Sequence, residues 1–267
     1  MEIEDVKLIG GYANFMFKLE PFEIVARVTG SAGTVRHGGA WLAREVDLAD
    51  YLNRAGLNVV RPSSDVPSGP HKHGTQYVTF WEHLDLISES PSPSEVGAHL
   101  HKIHKVLESY PKDLPTAGAL DEVWAILERS EVMDRLPAND LSIISRRSDR
   151  VRQYLSNRRL DCQPLHGDAH YGNLWRTPHG LVWGDFEDTF MGPIEWDLAC
   201  MTASSFVLGR GEAARTALEA YAGSYDTALL DVLVTARTIQ AIAWAIITLP
   251  DLTANQRFRS RIQWLAQ

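Results

Sequence analysis

The sequence predicts an α+β protein in two lobes. The first, residues 1–87, is a small antiparallel β lobe with one helix; the second, residues 88–267, is larger and mainly helical and carries a β-hairpin. Three observations predict this. Short β-prone runs fill the start of the chain. A serine- and proline-bearing stretch, "SESPSPSE" at 88–95, follows them as the best boundary. Beyond it helical periodicity dominates, broken by one strand island at 164–185.

In order, "VKLI", "NFMFKL" and "EIVARV" are strands separated by "GGYA" and "EPF", and they read as a meander. A helix follows at about 39–55, ended by Gly56. "SSDVPSGPHKHG" is turn-rich, and "QYVTFW" at 76–81 is the next strand. Past the boundary, helices are expected at about 94–109, 119–130, 139–157, 195–208, 211–223, 226–248 and 254–265. His99, His101 and His104 share the first of these without an i, i+4 spacing and read as surface or packing histidines.

Composition narrows the function classes. The 267 residues are 45% hydrophobic and 22% charged, ordinary for a globular chain. No run of eighteen apolar residues exists, so no membrane span or membrane partner is expected. The net charge of −8, with no basic block, argues against nucleic acid and is compatible with a cationic small substrate. The start, "MEIEDVKLIG", reads as a strand rather than a targeting segment, and two cysteines form no disulfide framework, so the expected setting is the cytoplasm. No glycine loop ends in Lys-Ser or Lys-Thr, so a nucleotide would have to be held another way.

Chemistry-bearing residues concentrate in "LHGDAHYGNLW" at 165–175. The runs "LWR" and "LVWGD" flank "TPHG", which predicts a hairpin. Folding it brings Asn173 and Asp185 together at the open end. An amide oxygen and a carboxylate are hard ligands that suit Mg²⁺. Asp168, on the loop feeding the hairpin, can face the same space without ligating metal.

"HGDAHYGN", "WGDFED" and "GPIEWDLA" together resemble the aminoglycoside phosphotransferase family, relatives of the protein kinases. The matching positions are His166, Gly167, Asp168, Asn173, Asp185 and Asp197-Leu198-Ala199. The resemblance implies a two-lobed kinase-like fold and transfer of phosphate from ATP, or GTP, with Mg²⁺, to a hydroxyl-bearing small molecule. Asp168 would be the catalytic carboxylate, and Asn173 and Asp185 would hold the metal. His166 would shape the loop or act in acid–base chemistry; Asp197 would pin the loop, cap its helix, or both. Glu187 and Asp188 would lie beside the metal or meet a cationic acceptor.

The resemblance also implies roles in the first lobe. Gly10-Gly11 would approach the phosphates, Val25 would cover the base, Glu82 and His83 would lie in the connector that hydrogen-bonds it, and Trp175 would form the pocket floor or sit in the core. At 100° per residue Leu42, Val46, Ala49 and Leu52 make one stripe, and Glu45 falls inside it. A carboxylate on that face needs a partner. Arg27 on the third strand matches the family's strand-cation to helix-glutamate pair; the alternative is an exposed Glu45 paired locally. The family position is usually lysine, so Arg27 is a departure, and Lys18 is a possible substitute. Two other readings exist: an inactive nucleotide-binding protein of this fold, and a metal-dependent hydrolase using His166, Asp168, His170 and Asp185.

Overall fold

The computed structural model describes residues 2–11, 14–30, 36, 38–116, 118–129, 134–252 and 254–267. The tip of the predicted "GGYA" turn and the end of the predicted helix at 119–130 lie outside these. Contacts divide the chain into two compact units: residues 1–91 with 172–188, and residues 92–171 with 189–267.

The first unit is built on an antiparallel sheet in the order β1 (Asp5–Gly11), β2 (Asn14–Glu20), β3 (Ile24–Thr29), β5 (Gln76–Glu82), β4 (His71–His73). Its register follows from alternation along β3, whose side chains point to opposite faces in turn. Ile24 and Ala26 pack with Leu19, flanked by Phe17, Phe22, Val78 and Phe80. Val25 and Arg27 therefore take the other face. The segment "GPHKHG", expected as a turn, supplies β4: His71, Lys72 and His73 pair with Val78, Tyr77 and Gln76. Edge pairing overrode the poor β-propensity of these polar residues.

Helix α1 (Ala40–Arg54) buries Trp41, Leu42, Glu45, Leu48, Ala49 and Leu52. The stripe is rotated from expectation: Leu48 and Trp41 are inside, and Val46 sits half-buried at its margin. Glu45 keeps its place on the buried face under either rotation.

The predicted hairpin is β7 (Leu174–Thr177) and β8 (Gly180–Trp183), with Leu174 opposite Trp183 and Thr177 opposite Gly180. Thr177 Oγ1 closes the turn, accepting from His179 N at 3.2 Å and donating to Gly180 O at 3.0 Å. The hairpin belongs to the first unit because its outer strand is hydrogen-bonded to it. Trp183 O accepts from Val60 N at 2.8 Å, and Asn58 Nδ2 donates to Leu181 O at 2.9 Å.

The second unit contains α2 (Pro93–Leu107), α3 (Ala119–Leu127), α4 (Ala138–Ser156), α5 (Ile194–Val207), α6 (Gly211–Ala220), α7 (Thr227–Thr248) and α8 (Gln256–Ala266), plus a two-residue pairing of β6 (Gln163–Pro164) with β9 (Met191–Gly192). Ser92 starts α2 with a capping box to Glu95. Helix α2 packs on α6 and α5 packs on α7. At the α2–α6 crossing a Cβ on Gly97 would lie 1.9 Å from Ala217 O, so only glycine permits the approach. Helix α7 is long and apolar enough to cross a membrane by length and composition, but 61% of its most apolar window is buried in the protein core. Cys162 is exposed, Cys200 is buried, and they form no disulfide.

Candidate active site

In the first unit the candidates gather on Arg27. Its Nη1 donates to Glu45 Oε1 at 2.6 Å, and its Nη2 donates to Asp185 Oδ1 at 2.7 Å and to Glu187 Oε2. Arg27 is 7% exposed and Glu45 2%, so this is a buried pair joining strand and helix rather than a local surface pair. Arg36 extends the cluster, donating to Glu187 Oε1 at 3.1 Å and to Asp188 Oδ1. Asn14 Nδ2 donates to Glu187 Oε2 at 2.9 Å. Lys18 is bonded instead to Glu23, at 3.2 Å, and does not take the place of Arg27 beside Glu45.

Arg27 and Arg36 thus hold four carboxylates, Glu45, Asp185, Glu187 and Asp188, and the excess shows in the titration of two of them. Burial pushes Glu45 up to about 7 against the pull of Arg27, with Asp185 adding to the rise. Burial likewise pushes Glu187 up to about 8, opposed by Arg27 and aided by Asp185. For Arg27 itself burial disfavours the charge, yet Glu187, Glu45 and Asp185 outweigh it and hold the guanidinium above its ordinary value.

Asp185 is the only non-glycine residue at positive φ among the described residues, at 65°. Aspartate tolerates this left-handed conformation better than most side chains, and the hairpin places it there: Gly184 N donates to Asn173 O at 3.0 Å, setting Asn173 across from Gly184 and beside the turn into Asp185. Although bonded to Arg27, the Asp185 side chain remains 35% exposed. An amide, a reachable carboxylate and surplus negative charge fit a hard divalent cation such as Mg²⁺.

In the second unit, the loop 165–170 is pinned by side chains from α5. The Asp197 carboxylate, fully buried, accepts from His166 N at 2.8 Å, Gly167 N at 2.9 Å and His104 Nε2 at 3.0 Å. Trp196 Nε1 donates to Gly167 O at 2.7 Å, and Thr189 Oγ1 donates to Leu165 O at 2.6 Å. Gly167 sits at φ +88°, where a side chain would be strained. His166 is fully buried, and its Nδ1 accepts from Asp168 N at 3.3 Å.

The loop presents Asp168 to Arg237 on α7. Arg237 Nη2 donates to Asp168 Oδ1 and its Nη1 donates to Gln240 Oε1. His170 Nε2 lies 3.4 Å from Asp168 Oδ2. Burial works against the carboxylate charge, but Arg237, then His170 and His166, outweigh it and hold Asp168 well below the usual carboxylate range.

The remaining sequence candidates are placed as follows. Gly10 and Gly11 end β1 beyond a register shift, and a Cβ on Gly11 would lie 2.7 Å from Asn14 O. Val25 is buried on the Arg27 face. At the end of β5, Glu82 N donates to Arg61 O at 2.9 Å and His83 N donates to Glu23 O at 3.0 Å. Trp175 is half-buried, and its ring backs Gly184, where a Cβ would meet it at 2.6 Å. Among the described residues no group of three His, Cys, Asp or Glu side chains has metal-holding geometry, and buried His166 is committed to its loop; the hydrolase reading is not supported.

Sequence reasoning missed Asn14, Arg36, His104 and Arg237. Two left signals. His104 shares the buried face of α2 with Leu100, Ile103 and Leu107, so a buried polar partner was required. Arg237 is the sole basic residue in the largely apolar α7. Asn14 and Arg36 carry no comparable pattern.

The model of the phosphotransferase enzyme family matches residues 36–233. Among curated proteins none matches by sequence. Solved structures share the fold. The amicoumacin kinase hAmiN, in complex with AMP-PNP, Ca²⁺ and Ami, aligns with TM-score 0.72 at 15% identity over 99% of this chain and 87% of its own. A microcompartment-associated aminopropanol kinase aligns with TM-score 0.72 at 16% identity, covering 98% and 89%. The choline kinase LicA from Streptococcus pneumoniae aligns with TM-score 0.69 at 15% identity, covering 99% and 93%. This is the two-lobed kinase-like fold that the motifs imply.

Proposed function

The chain belongs to the phosphotransferase enzyme family, and from that membership we propose that it is a small-molecule kinase, transferring the γ-phosphate of a Mg-nucleotide, ATP or GTP, to a hydroxyl of a small acceptor. The observation that carries the reading is Asp168: an aspartate kept ionised on a loop whose backbone is clamped by a second, buried aspartate. Phosphoryl transfer needs positioning and charge neutralisation more than covalent catalysis. A carboxylate held this far down is a weak base but a good acceptor of a hydroxyl hydrogen bond. Asp168 therefore aligns the acceptor oxygen and takes its proton late, as the new P–O bond forms and the bond from the γ-phosphorus to the departing nucleoside diphosphate breaks.

Asn173 and Asp185 would hold Mg²⁺, which supplies charge neutralisation on the nucleotide phosphates. Arg27, oriented by Glu45, would contribute a fixed positive charge to the phosphates in place of the usual lysine, its fork shared with Asp185. Gly10 and Gly11 would give backbone access to the phosphates and Val25 would cover the base. The nucleotides bound by the similar solved structures, AMP-PNP in the amicoumacin kinase and AMP in LicA, support this half of the reading. The kinases for amicoumacin, aminopropanol and choline leave the acceptor open among aminoglycosides, amino sugars, sugars and amino alcohols.

The test is a phosphotransfer screen of these acceptors with ATP or GTP and Mg²⁺, comparing wild type with Asp168→Asn. The variant is expected to lose about 10²- to 10⁴-fold in turnover while nucleotide with Mg²⁺ still raises its Tm. Turnover within threefold of wild type would remove Asp168 from the chemistry.

A further inference from the structure

We propose that Arg237 selects the charge of the acceptor: the compound phosphorylated at Asp168 is a neutral or anionic hydroxyl compound, with no ammonium group beside the reacting hydroxyl. The inference rests on the kinase reading and names its substrate class. Arg237 projects from the middle of α7, where its neighbours Ala236, Thr238 and Ile239 are buried. Its side chain is 15% exposed, and its guanidinium is tethered to Gln240 and bonded to the carboxylate that the acceptor hydroxyl must reach. An arginine stays charged at any working pH. An acceptor entering beside Asp168 therefore meets a fixed cation in contact with that carboxylate.

Two consequences follow. An ammonium beside the pair meets the repulsion of Arg237, which offsets the attraction of Asp168, so a cation gains no net Coulomb energy there. Moreover, Asp168 already has its counter-ion and gains little by meeting a second one. An anionic or hydroxyl-rich acceptor meets no such repulsion beside Asp168. The charge distribution agrees. The helices at about 111–160 and 211–265, expected to form the acceptor pocket, carry nine Lys and Arg against eight Asp and Glu and five against five, so the acidity of the chain resides outside them. The net charge of −8 is then no guide to the acceptor.

The experiment uses the full chain with Mg²⁺ and ATP or GTP and three matched sets: glucose, glucuronate and glucosamine; glycerol, glycerate and aminopropanol; and, for the polycation, kanamycin against sucrose. The expected result is at least a tenfold advantage in kcat/KM for the neutral or acidic members over the amines. Arg237→Gln should erase that advantage, mainly through KM, and Arg237→Lys should restore it. Preference for the amines by wild type, or the same preference in Arg237→Gln, overturns the proposal. So does the absence of transfer to every member while Mg-nucleotide still raises Tm; if no nucleotide raises Tm, the kinase reading falls with it.

Discussion

The Arg27 cluster of the first unit and the Asp168 cluster of the second use the same chemistry with opposite balance. Around Arg27 and Arg36 the carboxylates are in excess, and burial drives Glu45 to about 7 and Glu187 to about 8. Around Asp168 the positive groups prevail, and its carboxyl is held far below the usual range. A buried ion pair is neutral in worth only when its charges are matched. The first cluster is short of positive charge, which a divalent cation would supply. The second is complete and holds one group in one ionisation state.

The largest expected effect breaks the first cluster. Arg27→Ala leaves Glu45 and Glu187 buried without their main partner and should cost about 3–5 kcal/mol at pH 8. The loss should be smaller at pH 5, where protonation relieves the uncompensated charge. Denaturant melts at both pH values measure it, and equal losses would show that the cluster is not governed by surplus negative charge.

Next, Asp197→Ala strips His166 N, Gly167 N and His104 Nε2 of their acceptor. At about 1–3 kcal/mol per orphaned buried donor, partly relieved by water, about 3 kcal/mol of stability should go. Phosphotransfer should fall with it because the loop beneath Asp168 loosens. A stable variant with full activity would make Asp197 a helix-end acid and no more.

The pH dependences should run in opposite directions. Glu45 is raised from 4.5, so its stabilisation is present below that value and is lost as pH rises through about 7. Asp168 is lowered from 3.8, so its stabilisation is present above that value and is lost only in stronger acid. Glu45→Gln should therefore flatten the alkaline fall of Tm between about pH 5 and 8. The acid limb of phosphotransfer should lie below the ordinary carboxylate range in wild type and move up in Arg237→Gln, since losing the cation favours the protonated acid. An unmoved limb would detach Arg237 from the ionisation of Asp168.

The smallest effect concerns a single clamp. Thr189→Val keeps shape but removes the donor to Leu165 O, for about 1 kcal/mol, read as a small drop in denaturant midpoint without change in the transition slope.

Much of this was legible beforehand. The strands β1, β2, β3 and β5, the hairpin about "TPHG" and the buried carboxylate of Glu45 were legible, because each is a local consequence of turn residues and of which face a side chain takes. The motif spacing singled out Asp168, Asn173, Asp185 and Asp197 as candidates. What periodicity could not supply was the partner of each charge. Arg237 lies 69 residues from Asp168, and Arg36 lies 151 residues from Glu187. Such pairs are formed by packing helices and strands whose relative placement no local rule specifies, and the small rotation of α1, admitting Trp41 and Leu48 over Val46, shows how packing adjusts even a correctly read face. The same holds for backbone donors: that Glu82 N bonds to Arg61 O and His83 N to Glu23 O is decided by the fold. Sequence thus determined the elements and the chemical types of the candidate residues, since these depend on near neighbours. Tertiary structure decided their ionisation, their partners and the cation set against Asp168, since electrostatics in a low-dielectric interior depend on every charge within a few ångströms, however distant along the chain.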